Sequence, residues 1–343
     1  MAASSKTPLY EASTQFKNWR YSPPSLAKVR ASLNAAAVAV IRNTFEADEP
    51  GSSSAVSFLL PDEELLLVRL YASKIPQLCG FFRFPDEVEA TAITYLKRFY
   101  LKNTVMDWHP KNVMLTALFL ATKTTNNPIS LEAYTNNIPK TSPSDVLDLE
   151  FLVAQSLGFE FAVWHAHRAL WGIWLDLQAV PNAPPNGAAS QSEIYDTALR
   201  HVRASRLSDA ELIYTPSQIA LASLSMASPE LATEWAASKL PPASPSLSTL
   251  QDTMAVIRGL IEVAARPLDV EAVRGVDLRL KLCKNPEKVV GSKAYLAKKA
   301  EDERKTEEKR NRKAVEVQKA MTAGDPFGDD LGRLVDYDDD DDD

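Results

Sequence analysis

Residues 110–122 are the stretch that most constrains the fold, because nearly every position is apolar and no charge occurs between Lys111 and Lys123. Pro110 suits the first position of a helix, which makes His109 the predicted N-cap. A helix that is apolar on every face must be enclosed by other elements. At about 20 Å, this helix is too short to cross a membrane. The sequence therefore predicts a central helix surrounded by other helices.

The composition favours an all-α fold. Apolar residues make up 45% of the chain and glycine occurs only 11 times, and the alternating runs typical of strands are missing. Two cysteines, Cys79 and Cys283, make no disulfide framework and favour a reducing compartment. The amino terminus lacks the apolar run of a signal peptide, and no stretch reaches transmembrane length, so we expect neither.

Caps, prolines and apolar stripes divide most of the chain into two sets of five helices. The fifth helix of the first set is expected to be capped by Ser142 and stopped by Gly158. Loops rich in proline are predicted at residues 181–190 and 241–246. The predicted helices are 61–79, 85–103, 110–122, 130–138 and 143–157 in the first set, and 166–178, 192–207, 216–227, 231–239 and 247–265 in the second.

The second set resembles a copy of the first. A shift of 106 positions, from residue 109 to residue 215, superimposes His109-Pro110 on Thr215-Pro216. Because cap, proline and apolar positions agree together, we predict two similar units of about 100 residues each. The alternative is a chance similarity between two buried helices.

Further segments flank the two repeats. Residues 1–57 are predicted to hold a helix at 22–43 and a turn-rich linker at 44–57. We expect the first repeat over residues 58–162, the second over 163–266, and one more helix over 267–283. Residues 284–343 are predicted to be a charged, largely disordered acidic tail, in which 297–320 is a solvated helix or partly disordered.

The net charge of −7 misrepresents the body of the protein. Residues 325–343 contain ten Asp and one Arg, a charge of −9, which leaves +2 on the remainder. A nearly neutral body is not typical of a non-specific nucleic-acid binder. The acidic tail receives no predicted role beyond solubility.

Glu150 breaks the apolar pattern of the predicted helix 143–157. On a wheel of about 100° per residue it falls on the apolar face with Val153 and Leu157. A carboxylate there is costly without a partner, and Lys123 is the cation that ends the central helix, so we predict an ion pair. The pattern alone favours an ordinary structural pair, and the alternative is a pair at a surface that another protein covers.

Two five-helix repeats, a third helix ending in Lys and a Glu on the fifth helix resemble the cyclins. The resemblance implies two tandem five-helix cyclin-fold repeats with flanking N- and C-terminal helices. It covers most of residues 8–283, but not 44–57, 181–190 or the tail. The longest motifs resemble the cyclins of CDK-activating kinases: STQFKNWRYS, YLKRFYLKNTVMDWHPKNVMLTALFLATK and LIYTPSQIALASL.

The resemblance implies a nuclear, non-catalytic subunit that binds and activates a cyclin-dependent kinase. The implied setting is the CDK-activating kinase within TFIIH, acting on the repeat tail of RNA polymerase II. Implied partners are the kinase, a RING-finger assembly factor and, indirectly, the TFIIH core, with no cofactor, metal, membrane or direct nucleic acid. By motif position, Lys123 and Glu150 grip the kinase αC helix, Phe159 packs on the same helix, and Leu120 and Phe161 lie beside them.

Two motifs depart from the family pattern. Cyclins commonly follow the lysine with acidic residues, whereas Thr124-Thr125-Asn126 follow here, which weakens one expected polar contact. The apolar patch with which cell-cycle cyclins recruit substrates is not recognisable in LLLVRLYASKI. We therefore infer no substrate recruitment by the first helix.

Three other functional classes are alternatives. An enzyme would need a P-loop, a nucleophile elbow or a metal-ligand cluster, and the sequence has none of these. His165-Ala166-His167 is an H-x-H motif more typical of packed histidines than of metal ligands. A TFIIB-like duplicated helical core binding DNA or basal factors would need a basic face and, upstream, a zinc ribbon, whereas no CxxC occurs. A plain helical scaffold is the third alternative.

Overall fold

The computed structural model describes residues 8–178, 188–240 and 245–322, and every regular element in these ranges is a helix. The prediction of an all-α fold is therefore confirmed for the described residues. The α-helices are α1 (Thr14–Asn18), α2 (Pro23–Asp48), α3 (Pro61–Ala72), α4 (Ile75–Phe82), α5 (Asp86–Phe99), α6 (Pro110–Thr124), α7 (Leu131–Asn136), α8 (Ser144–Leu147), α9 (Glu150–Ser156), α10 (Ala166–Gln178), α11 (Ala188–Ser205), α12 (Ala210–Ile213), α13 (Pro216–Ala227), α14 (Pro229–Lys239), α15 (Pro245–Ala265), α16 (Val270–Leu282) and α17 (Lys293–Thr322).

Helix α6 is the centre of the first repeat, as its apolar sequence predicts. His109 is its N-cap, and the ring Nδ1 accepts the backbone N–H of Lys111 at 3.1 Å. Every residue from Val113 to Thr122 is buried. Helices α3, α5, α8 and α9 pack against it. Helix α6 is therefore enclosed on all sides, and this packing sets the position at which its last residues reach the surface.

Helix α13 has the same place in the second repeat. Thr215 caps it, and Gln218 completes a capping box by accepting the backbone N–H of Thr215. Helices α10, α11, α14 and α15 pack around α13. The predicted duplication around two proline-led, buried helices is confirmed.

The two repeats are joined through α5, which belongs to the first. Lys97 donates from Nζ to the carbonyl oxygens of Arg206 and Ser208 and lies 2.5 Å from Glu211 Oε1. The buried guanidinium of Arg206 in turn pairs with Asp86 at 2.8 Å. Because these groups have little access to water, the interactions fix one repeat on the other.

The amino-terminal helices lie on both repeats. Arg30 of α2 makes a bidentate ion pair with Asp209, at 2.7 and 2.6 Å. Trp19, just after α1, is buried in an apolar cluster with Leu26, Leu101 and Leu212. Trp19 therefore anchors the amino-terminal segment to the apolar core.

The described residues fall into two units, one of residues 41–54 and 285–322 and the other of the described residues within 8–40 and 55–284. The main element of the unit that contains residues 285–322 is α17, which begins at Lys293 and is exposed along most of its described side chains. Ion pairs at i,i+4 spacing, such as Lys299–Glu303 and Arg304–Glu308, stabilise it. Residues 297–320 are therefore a solvated helix, one of the two predicted alternatives.

Several predicted helix boundaries differ from the structure; the predicted helix 85–103, for example, ends at Phe99. The predicted helix 61–79 is two helices, because Pro76 has no N–H for the carbonyl of Ala72 and α4 starts anew at Ile75. The predicted helix 22–43 continues to Asp48, and the breakers Pro50-Gly51 follow only after it. The predicted helix 143–157 is also two helices. Helices α1 and α12 were not predicted, and most of the loops at 181–190 and 241–246 and the tail from residue 323 lie outside the described residues.

Candidate functional site

The predicted ion pair is present at the surface of the first repeat. Lys123 lies in the last turn of α6 and Glu150 is the first residue of α9, with 2.5 Å between Nζ and Oε1. The two side chains are 42% and 23% exposed. The Lys123 ammonium also lies 4.4 Å from the centroid of the Phe119 ring. The pair is therefore accessible from outside the chain, as a pair that another protein covers has to be.

A break between α8 and α9 determines the position of Glu150. The Thr116 hydroxyl on α6 lies 3.1 Å from the carbonyl oxygen of Val146, the group to which Glu150 N–H would donate in a continuous helix. The helix ends at Leu147 and restarts at Glu150. A carboxylate in the first turn of a helix is stabilised by the helix dipole.

Three phenylalanine side chains lie together beside the ion pair. Phe151 is 70% exposed and Phe159 55% exposed, and their ring centroids are 6.1 Å apart. Phe161 follows at 6.3 Å from Phe159 in an edge-to-face arrangement. Exposed aromatic side chains gathered in one place are typical of a surface that binds another protein.

Phe151 was missed by the sequence prediction. It directly follows Glu150, and its side chain type does not distinguish a surface phenylalanine from one in the core. The only available signal was its place on the outer side of the predicted helix. Leu120 and Phe161 were predicted beside the site, and the structure separates them: Leu120 is 6% exposed and lies beneath the surface, whereas Phe161 is half-buried.

The turn after α9 directs Phe159 outward. Gly158 N–H donates to Gln155 O at 2.8 Å and Phe159 N–H to Ala154 O at 3.0 Å, the two hydrogen bonds of a Schellman C-cap. Gly158 has φ of 60° and Phe159 has φ of 56°. The predicted helix stop at Gly158 is confirmed. A left-handed conformation costs a residue such as Phe roughly 1–2 kcal/mol, and such strain is concentrated at functional sites.

Tyr95 connects this turn to the end of α6. Its hydroxyl donates to the carbonyl oxygen of Phe161 at 2.7 Å and lies 3.0 Å from the Thr124 hydroxyl. Burial raises the pKa of Tyr95 to about 12, so the phenol stays protonated as a donor at neutral pH. The segment that carries Phe159 and the helix that carries Lys123 are thus held at a fixed distance.

The H-x-H motif is a packed pair of histidines. His165 Nε2 lies 2.9 Å from the Thr91 hydroxyl, and the rings of His165 and His167 stack with centroids 5.1 Å apart. Burial and the neighbouring Arg206 lower the pKa of His167 to about 4. Both rings are therefore neutral at physiological pH.

Within the described ranges, no group of three or more His, Cys, Asp or Glu is arranged to hold a metal ion. Cys79 is buried in the core. Burial raises its pKa to about 12, so the thiol is a poor nucleophile. The expectation that no stretch reaches transmembrane length is wrong for Pro61–Phe82, which meets the length and hydropathy of a membrane span. The stretch is divided into α3 and α4.

Two models of protein domains match the chain. The cyclin N-terminal domain matches residues 69–162, and the cyclin C-terminal domain matches residues 165–262. The two buried central helices, α6 and α13, fall one within each match. The class of protein is thus a cyclin with both of its domains.

Relatives and solved structures refine this class. Cyclin mcs2 of Schizosaccharomyces pombe is 31% identical over 86% of this chain and 91% of its own length. Putative cyclin-H of Dictyostelium discoideum is 36% identical over 63% of this chain and 75% of its own. A chain in the CAK complex of Chaetomium thermophilum bound to ATP-gamma-S has a TM-score of 0.74 at 28% identity, over 81% of this chain and 90% of that chain.

A chain in the yeast TFIIK complex (Kin28/Ccl1/Tfb3) has a TM-score of 0.61 at 30% identity, over 74% of this chain and 100% of that chain. The chain belongs to the cyclin family, in the group of cyclin H and its fungal counterparts. The comparisons favour this family over the TFIIB-like core considered from the sequence.

Proposed function

We propose that this chain is the regulatory cyclin subunit that binds and activates a cyclin-dependent kinase in the CDK-activating kinase of TFIIH. The observation that carries the proposal is the accessible Lys123–Glu150 ion pair beside the exposed rings of Phe151 and Phe159. Charged hydrogen-bonding groups next to apolar rings fit the amphipathic face of a helix on a partner protein.

The mechanism is allosteric. A protein kinase is active only when the Lys–Glu ion pair between strand β3 and helix αC and the metal-binding Asp are both in place. The first repeat presses helix αC inward and so completes that arrangement. Lys123 and Glu150 bind the polar groups of the helix, and Phe159, with Phe161 and Phe151 beside it, packs on its apolar side.

A stable interface of this kind buries about 1,600 Å² in total. A few central residues dominate the binding energy of such surfaces. We assign this role to Lys123, Glu150 and Phe159. Leu120 supports the surface from below, because only 6% of it is exposed before the kinase binds.

The partners follow from the same proposal. The similar structures are those of a CAK complex and a Kin28/Ccl1/Tfb3 complex, which supports a kinase subunit and a RING-finger assembly factor as partners of this chain. We further infer that the chain itself is non-catalytic and uses no cofactor. It meets the TFIIH core indirectly, acts in the nucleus on the RNA polymerase II tail, and contacts neither a membrane nor nucleic acid directly.

Co-purification from cells of the source organism, with partners identified by mass spectrometry, tests the complex. Recovery of a cyclin-dependent kinase and a RING-finger protein is expected, and recovery of neither would contradict the proposal. A reconstituted kinase assay then tests the site. Lys123→Ala is expected to abolish most activation, whereas Lys74→Ala, at an exposed lysine on the turn before α4, is expected to activate normally.

A further inference from the structure

The carboxylate of Glu160 is held by two residues of the amino-terminal segment. Asn18 Nδ2 donates to Oε1 and Trp19 Nε1 donates to Oε2, each at 2.5 Å. Glu160 directly follows Phe159, the residue with the left-handed backbone. Residues more than 140 positions apart in sequence are thereby joined at the turn that presents the exposed ring.

We propose that Glu160 is a positioning residue for kinase binding, which it serves by fixing the Phe159 turn to the amino-terminal segment rather than by contacting the kinase. This inference rests on the proposed function of the Phe159 surface. It assigns to Asn18 and Trp19 a role in kinase affinity although they lie outside both matched cyclin domains.

The backbone of the turn needs an external restraint. Two successive residues with positive φ, Gly158 and Phe159, are not a conformation that the chain prefers by itself. The carbonyl oxygens that follow are also restrained: Arg98 Nη1 lies 3.4 Å from Glu160 O, and Tyr95 donates to Phe161 O. The Glu160 carboxylate is the point at which the side chains of this turn are fixed to a different part of the chain.

The amino-terminal segment is itself fixed, so it can restrain the turn. Gln15 accepts the backbone N–H of Trp164 at 2.6 Å and donates to the carbonyl oxygen of the same residue at 3.3 Å. Tyr21 N–H donates to Leu212 O at 2.8 Å. Trp19 is 3% exposed. The restraint on Phe159 is therefore continuous with the packing of the second repeat.

The chemistry requires a carboxylate at residue 160. Each of its oxygens accepts one N–H. The two donor atoms, Asn18 Nδ2 and Trp19 Nε1, can donate hydrogen bonds but cannot accept them. In Glu160→Gln the amide keeps one acceptor, and its NH₂ group faces a second donor. The variant thus loses one hydrogen bond with little change in side-chain volume.

The test is a double-mutant cycle on affinity for the cyclin-dependent kinase that co-purifies with the chain. We expect Glu160→Gln to weaken binding about tenfold, which is about 1.4 kcal/mol, while kcat at saturating cyclin stays unchanged. In a Phe159→Ala background the same change is expected to have less than about a twofold effect. Glu132→Gln, at an exposed acid of α7, is the matched control.

Equal effects of Glu160→Gln with and without Phe159 would overturn the inference, because they would indicate direct contact with the kinase. Unchanged affinity would overturn it as well. Asn18→Ala removes the other N–H donor from an exposed side chain, so it provides the same test if Glu160→Gln does not fold. If Lys123→Ala and Phe159→Ala bind as the wild type does, the proposed function fails; if only Glu160→Gln binds normally, the positioning role alone fails.

Discussion

Lys123 Nζ lies 2.5 Å from Glu150 Oε1 at a surface where both side chains still meet solvent. An ion pair exposed in this way contributes roughly 0–1 kcal/mol to stability. We therefore expect Lys123→Ala to change the free energy of unfolding by less than about 1 kcal/mol, as measured by urea denaturation. Once a partner covers the site, the same change leaves Glu150 buried and unpaired, which costs about 3–5 kcal/mol.

The expected result is thus a large loss of kinase affinity, of at least about a hundredfold, in a chain of nearly normal stability. Binding of the purified kinase, measured by calorimetry, checks it. Loss of affinity in proportion to lost stability would instead indicate a structural ion pair. Lys74→Ala should leave both quantities unchanged.

The positive φ of Phe159 leads to a second prediction, which concerns stability. Glycine adopts a positive φ without the steric cost that alanine has. We expect Phe159→Gly to be more stable than Phe159→Ala by about 1 kcal/mol, although both variants lose kinase affinity to a similar degree. Urea unfolding of the two variants gives the comparison.

Phe151 provides the control, because it is also exposed but lies within helix α9. Glycine is about 1 kcal/mol less favourable than alanine inside a helix. Phe151→Gly should therefore be less stable than Phe151→Ala, the reverse order. The same order at both positions would contradict the role assigned to the backbone of Phe159.

The sequence predicted the fold well where one physical requirement decides the pattern. Helices α6 and α13 are enclosed, so their residues must be apolar on all sides, and the pattern is visible without coordinates. The break between α8 and α9 was not predictable, since it involves a hydroxyl of Thr116 on a different helix. The local capping signals at Ser142 and Gly158 indicate the two ends of the predicted helix 143–157. They do not indicate the break within it.

The candidate site was likewise predicted only in part. Lys123 and Glu150 were predicted because a charge in apolar surroundings requires a partner. The exposure of Phe151 was not predicted, because phenylalanine is found in cores and at interfaces alike. The hydrogen bond from Trp19 to Glu160 joins residues 141 positions apart, and no periodicity relates them.

Lys97 gives a third prediction, on the junction of the two repeats. Its side chain is 6% exposed, and its ammonium lies 2.5 Å from Glu211. Removing one partner of such a buried pair costs about 3–5 kcal/mol. We expect Lys97→Ala to lower the free energy of unfolding by that amount, measured in urea, against no more than about 0.5 kcal/mol for the exposed Lys74→Ala.

A second variant separates charge from packing at the same place. In Lys97→Met with Glu211→Leu, neither charge remains buried without a partner, and apolar replacements of buried ion pairs are often tolerated. The double variant should recover more than half of the stability lost in Lys97→Ala. A double variant less stable than the single one would show that Glu211 stabilises the fold through its other partners, the Thr94 hydroxyl and the buried Arg98 guanidinium.

The histidine pair at residues 165 and 167 makes the stability of the chain depend on pH. Burial and the charge of Arg206 lower the pKa of His167 to about 4, and burial lowers the pKa of His165 well below its usual value. The unfolded chain, with an ordinary histidine pKa of about 6.5, therefore binds more protons than the folded chain below that pH. The free energy of unfolding accordingly falls as the pH falls from about 6.5 towards 4.

For His167 the loss is at most about 3 kcal/mol when fully developed. The nearby Asp86 does not oppose it in this window. Burial raises the pKa of that carboxyl, but hydrogen bonds and charge from Arg206 outweigh burial and bring the pKa to about 2. The contribution of Asp86 to stability is therefore lost only in stronger acid.

Urea unfolding at about pH 7 and about pH 5 should show a smaller difference in the free energy of unfolding in His167→Asn than in the wild type, because Asn retains an acceptor for Arg206 and does not titrate. Equal differences in the two proteins would show that other groups cause the loss in acid.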